Sequence, residues 1–195
     1  MLRQAGRLMT QDSPSGLHLL SWLWTPLVVV TAVADGLRSG QVAVSAHGAS
    51  IVRERPRLTV ALWKGNLTRD LVDQSGFFAV HLLRDDQDQL AYHFGLQSGR
   101  SVDKFAGLDC ETGVTGAPLL PDCLVIFECR VVSRMDGGDH TLFLGDVVNS
   151  VFRGDGSPLW WRDLRPRMPV EQRAVWDARS AASVRAAAEM MDISP

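Results

Sequence analysis

The most constraining feature of the sequence is a succession of short runs of branched and aromatic residues, each bounded by turn signals. Segment 27–34 (LVVVTAVA) ends at Asp35-Gly36, a pair suited to a tight hairpin turn. Segment 58–63 (LTVALW) follows Pro56, and 77–83 (FFAVHLL) follows Ser75-Gly76. Segments 124–133 and 141–152 are separated by 135–139 (MDGGD), a hairpin connection, and 158–162 reads as a short last strand. Chains built this way bury their apolar faces by closing sheet on sheet or by curling one sheet into a barrel.

Helical signals are fewer. Thr68 is placed to cap a short helix over 69–74, closed by Ser75-Gly76. Asp85 or Asp86 is placed to cap a second over 87–97, with Leu90, Phe94 and Gln97 on one side. Pro169 opens a third, reaching about residue 191, in which Val170, Ala174, Ala178, Ala181, Val184 and Ala188 recur at helical spacing. The expected architecture is mainly β, a barrel with peripheral helices. Residues 1–168 form the barrel domain and residues 169–195 a C-terminal helical extension.

Composition bounds function. A net charge of −2 offers no bulk attraction to nucleic acid or anionic membrane, so any anion site is a local arrangement. The six tryptophans have no basic stripe around them, which favours core or dimer packing over base stacking. Cys110, Cys123 and Cys129 match no zinc spacing, and Cys123 and Cys129 alternate along a strand as buried packing residues. No metal site is expected. Arg3 and Arg7 precede an apolar stretch, but His18, Thr25-Pro26 and Asp35-Gly36 break it, and 27–34 is too short to span a bilayer. A cytoplasmic, membrane-free setting is expected.

The sharpest motif is GGDHTLFLGDV at 137–147, arriving after FECR at 127–130. It resembles the signature of the flavin reductase family, whose members use an FMN-binding split β-barrel of Greek-key-like form. The likeness continues in FFAVHLL (77–83), Asp86-Gln87, LAYHF (90–94), SGRSVDKF (98–105) and GAPLL (116–120). Each block is weak alone, but the order is specific, and together the blocks cover roughly residues 20–163. A Rossmann site is not indicated, because residues 36–40 do not form GxGxxG.

The resemblance implies an NAD(P)H:flavin oxidoreductase that binds FMN, or FAD, as a homodimer and supplies reduced flavin to a partner monooxygenase. Two alternatives stay open: a flavoredoxin-like carrier that keeps FMN and passes electrons to an acceptor protein, and a non-catalytic flavin-binding module. For the phosphate, the resemblance points to Trp63, Lys64, Asn66 and Thr68, where a strand end, a cation and a helix start meet. Local physics agrees, because helix N-termini favour anions. The plain alternative is a solvated lysine and a capping threonine. Ser45, Ala46 and His47 stand where the family approaches the flavin ring, with His47 where asparagine is common. Arg100, Ser101 and Lys104 form a loop that the resemblance places near the flavin of one subunit or its mate, against the simpler reading of a basic surface loop. His140 corresponds to the histidine on the nicotinamide side, and Asp139 is an obvious local partner. No triad or paired carboxylate is needed, because hydride passes directly between cofactors.

Three departures bear on the substrate side. The loop from Gly40 to Pro56 is longer than the pattern, Arg55-Pro56 replaces Pro-Pro, and Pro158-Leu-Trp-Trp161 continues into Arg162-Asp-Leu-Arg165.

Overall fold

The computed structural model describes residues 19–192; Arg3, Arg7 and His18 lie outside them. Nine strands are β1 (Val28–Ala34), β2 (Leu37–Ala43), β3 (Ala46–Gly48), β4 (Arg57–Trp63), β5 (Phe77–Leu82), β6 (Glu111–Thr112), β7 (Pro118–Leu119), β8 (Val125–Asp136) and β9 (His140–Phe152). The helices are α1 (Leu67–Ser75), α2 (Asp88–Leu96), α3 (Trp161–Arg167) and α4 (Val170–Met190). Seven strands pair antiparallel in the order β2-β1-β5-β8-β9-β4-β3 and curl into a half-barrel, while β6 and β7 form a separate ribbon. Register shifts at Glu128/Cys129 and Val131/Ser133 bend the long β8–β9 hairpin, as bulges do. The architecture is the mainly β barrel with peripheral helices that the sequence implies.

β1 is apolar throughout because both its faces are covered. Leu27 and Val29 join a cluster with Phe94, Phe105, Leu159 and Leu164, between the sheet and α2 and α3. Val28, Val30 and Ala32 face the other way, onto Val60, Leu62, Phe78 and Phe143 within the curl, where α1 adds Leu71 and Val72. Gly145, the third glycine of the 137–147 motif, has a packing reason. A Cβ there would sit 2.9 Å from the Phe78 ring and 3.0 Å from Cys129 Cβ. Cys123 and Cys129 are buried, and burial pushes both thiols up to about 12, so they act as inert packing groups.

Both hairpin turns form as expected. Asp35 and Gly36 take φ 47° and 78°, and Gly137 N–H donates to His140 O at 2.9 Å. Four expectations are corrected. Segment 158–162 is not a strand: Pro158 bridges Arg84, Leu159 N–H donates to Leu83 O, and the chain then turns helical at Trp161. The reason is the spacing of Trp161, Leu164 and Met168, which puts three apolar side chains on one helical face. Thr68 is not the cap of α1. The helix starts earlier, with Asn66 at the N-cap, and the buried Thr68 hydroxyl donates to Ser39 Oγ at 2.9 Å. Neither Asp85 nor Asp86 caps α2. Gln87 does so by position, while Asp86 is held by Arg84 Nε at 2.7 Å. Finally, the stretch from Gly40 to Pro56 is not all loop, since β2 runs to Ala43 and β3 pairs with β4.

The long connection between β3 and β4 is tied down by charge. Asp146 on β9 accepts from Arg57 Nε at 2.7 Å and Arg55 Nη2 at 3.1 Å, with Arg130 at 3.5 Å. The hydrogen bonds from Arg55 and Arg57 hold its carboxyl down to about 2.

Candidate functional site

A cleft of about 190 Å³ runs along the free edge of β2. Gln41 to Val44 form one wall, and Phe94, Gly95 and Gln97 from the end of α2 form another. Asn66 and Lys104 close the polar side; Trp161, Trp176 and Arg179 close the side made by α3 and α4. Glycines allow the elements to meet. A Cβ on Gly40 would lie 2.7 Å from the Phe94 ring, and one on Gly95 would collide with the Trp176 ring. Trp161 sits between Trp176 and Trp24, with ring centroids 4.8 and 6.2 Å away.

Of the sequence-derived residues, Asn66 and Lys104 line this cleft. Lys104 is 4% exposed, and its ammonium donates to Gly40 O and Phe94 O, each at 2.8 Å. Burial, with the nearby Arg179 charge adding to it, pushes the ammonium down to about 8. The basic loop is therefore not simply a solvated surface.

A second group gathers around the start of α1, beside Asn66. Arg100 Nε donates to Gly65 O at 3.1 Å, and its other arm reaches Asp70 at 2.5 Å, so two separate sequence blocks meet there. Ser101 is exposed, its N–H donating to Ser98 O. Trp63 pairs in register with His140 across β4 and β9, and its ring covers Gly65. Lys64 donates its backbone N–H to Asp139 O and its ammonium to Asp136 at 2.6 Å. The hairpin tip that carries His140 is thus fixed against the Trp63–Lys64 end of β4. His140 Nδ1 lies 2.9 Å from Asp139 Oδ1, which orients the ring and leaves Nε2 facing outward from that bond. Thr68 is turned away onto Ser39.

Ser45, Ala46 and His47 follow the β2 wall in the chain but pass to the β4 side, and none of them lines the cleft. Ser45 Oγ donates to Ala61 O at 3.1 Å, Ala46 N–H donates to Thr25 Oγ1 at 3.3 Å, and His47 is exposed opposite Thr59.

Sequence reasoning missed Gln41, Trp176 and Arg179. Gln41 lies in a strand (LRSGQVA) poor in branched residues, and the only signal was the Asp35-Gly36 turn, which demands a returning strand. Trp176 and Arg179 sit on α4 three residues apart, on one helical face.

A flavin presents a flat ring with one apolar side and one edge of alternating donors and acceptors, plus a phosphate when it is FMN. The cleft fits that chemistry. Gln41 is 5% exposed with its Oε1 unpartnered, Lys104 has a third N–H to give, and the aromatic wall faces both. A curled antiparallel half-barrel with such a cleft along its edge strand defines a class of flavin-binding barrels. The family model described as "Flavin reductase like domain" matches residues 20–167, and the chain belongs to that family.

Three relatives illustrate its neighbourhood. The FMN reductase (NADH) SmoA of Agrobacterium fabrum is 33% identical over 152 residues, spanning 76% of this chain and 82% of that protein. HsaB of Rhodococcus jostii, the reductase subunit of a flavin-dependent monooxygenase, is 30% identical over 145 residues, 74% of this chain and 72% of that protein. Among solved structures, the NADH:FAD oxidoreductase SgcE6 of Streptomyces globisporus C-1027 is similar with a TM-score of 0.66. The identity is 26%, over 80% of this chain and 91% of that one.

Proposed function

We propose that this protein is an NAD(P)H-dependent flavin reductase. The observation that carries the reading is the β2-edge cleft, where an unpartnered buried amide oxygen and a buried ammonium face an aromatic wall. When bound there, the flavin supplies the redox chemistry, accepting hydride from a reduced nicotinamide. The protein's part is to bind, orient and exclude water. Gln41 and the free edge of β2 meet the polar edge of the ring, and Trp161 and Trp176 cover its apolar side. The phosphate lies toward the start of α1, where Lys64, Asn66 and Arg100 converge with the helix's positive end. Trp63 shields that end, and Thr68 holds it in place through Ser39.

The finer reading is FMN as the flavin, a monooxygenase or another electron-acceptor protein as recipient, a homodimer, and a cytoplasmic setting. The names of SmoA and HsaB support the first two. Val170, Val175 and Val184 on α4 are exposed apolar side chains suited to a two-fold contact. Three unpaired cysteines suit a reducing compartment, and no helix among the described residues is long and apolar enough to cross a membrane. The domain division at residue 168 is retained, with α4 acting as an appendage to the barrel.

His140 tests the nicotinamide side. Steady-state oxidation of NADH and NADPH with added FMN is expected, and His140→Ala should raise KM for the nucleotide about tenfold, or about 1.4 kcal/mol. FMN affinity should not change, because His140 is tethered to Asp139 and does not line the cleft. An unaltered KM would leave His140 as a turn-stabilising residue. A wild type without turnover would overturn the reductase reading.

A further inference from the structure

Lys104 and Arg179 bring two cations to one cleft, and neither has an anion beside it. The Lys104 ammonium uses two of its three N–H groups on Gly40 O and Phe94 O, both neutral acceptors. Among the described residues, no carboxylate or carbonyl holds the Arg179 guanidinium. Other arginines differ: Arg165 meets both carboxylate oxygens of Asp177, Arg167 pairs with Asp88, and Arg100 pairs with Asp70. In a chain with more acids than bases, leaving two adjacent cations unpaired is not a matter of supply. An anionic occupant would relieve their mutual repulsion in a cleft walled by tryptophan and phenylalanine.

The position of Arg179 is set by packing. Trp176, three residues earlier on the same face of α4, lays its ring over Gly95 and against Trp161 at 4.8 Å. That contact holds α4 across the end of α2 and aims Arg179 at the cleft. Asn66, the N-cap of α1, lines the same cleft, so the helix's positive end adds to the field.

We propose that Lys104 and Arg179 form a phosphate-ester site, its second cation supplied by α4, a helix beyond the residues 20–167 that carry the family likeness. The identity of the ligand rests on the flavin reductase reading. Under that reading two molecules bring phosphate esters to the cleft, the flavin mononucleotide and the nicotinamide dinucleotide. The C-terminal helix is then part of the binding site and not only a peripheral appendage.

The test compares wild type, Arg179→Ala and Arg179→Lys in the full chain. FMN and riboflavin are titrated by fluorescence, and KM for NADH and NADPH is measured at saturating FMN. Arg179→Ala should weaken a phosphate-bearing ligand about tenfold or more, leave riboflavin within about twofold, and be largely rescued by lysine. Loss confined to FMN assigns the site to the flavin phosphate, in place of the position beside Lys64. Loss confined to KM, with kcat kept, assigns it to the dinucleotide. Equal weakening of FMN and riboflavin, or no change in any of the four ligands, overturns the proposal. A wild type that binds neither flavin removes the flavin reductase reading itself, and this site with it, before Arg179 is in question.

Discussion

Glu128→Ala is expected to cost the fold about 2–3 kcal/mol, because it removes a buried carboxylate that three part-buried donors share. Glu128 on β8 is 0% exposed. It accepts from Thr115 N–H at 2.9 Å, Thr115 Oγ1 at 2.8 Å and Asn149 Nδ2 at 2.9 Å. Gly113 makes room for it, since a Cβ there would collide with the carboxylate. The side chain thereby pins the turn before β7 to the β8–β9 hairpin. Burial by itself pushes this carboxyl up, and the hydrogen bonds from Thr115 and Asn149 together outweigh burial and hold it below the ordinary glutamate range. Its stabilisation is therefore complete above the unfolded value of about 4.3 and is lost as pH falls through the depressed folded value. Urea unfolding at neutral pH should show the full deficit of the variant, and the gap to wild type should narrow in acid. A neutral-pH loss below about 1 kcal/mol would mean that water replaces the carboxylate and that the turn is not pinned as described.

Lys64→Ala should weaken FMN by about 1.5–3 kcal/mol, roughly ten- to a hundredfold, while riboflavin binding stays nearly unchanged. In the structure Lys64 bonds Asp136, whose side chain is 73% exposed. Pairs of that kind contribute only about 0–1 kcal/mol, so exchanging the carboxylate for a phosphate dianion at the start of α1 is favourable. Parallel fluorescence titrations with the two flavins isolate the phosphate contribution. Equal losses for both would show that Lys64 acts through its tie to the β8–β9 hairpin and not through a phosphate.

The barrel was legible where local chemistry and tertiary packing agree. The branched runs of β1, β4 and β5 alternate into covered faces, and the Asp35-Gly36 and 135–139 turns demand left-handed residues that Asp and Gly accept. β2 was illegible because Arg38, Ser39, Gly40 and Gln41 serve neighbours instead of strand propensity. Gly40 yields space to Phe94, Ser39 receives the Thr68 hydroxyl, and Gln41 faces the cleft. The segment after Pro158 misled because Trp160-Trp161 looks extended. The helical face that wins is completed only by Leu164 and Met168 in the core.

The site was legible in part. The blocks 63–68 and 98–104 are separate in the sequence, and their meeting through Arg100 and Gly65 is a tertiary fact. Lys104 looked like a surface cation because its burial depends on Gly40 O and Phe94 O, two carbonyls far apart in sequence. Arg179 gave no signal at all: on an alanine-rich helix an arginine reads as solubilising, and only the Trp176–Gly95 contact turns it toward the cleft.

The β2-edge cleft is expected to hold a flavin that a nicotinamide can reduce. One experiment addresses it directly: purified protein is titrated with FMN, and the complex is then mixed anaerobically with NADH or NADPH while the oxidised-flavin absorbance is followed. The expected result is fluorescence quenching with micromolar or tighter affinity, about −8 kcal/mol or better, followed by bleaching of the flavin band. Absence of quenching at tens of micromolar FMN, or a bound flavin that stays oxidised with both nucleotides in excess, would contradict it.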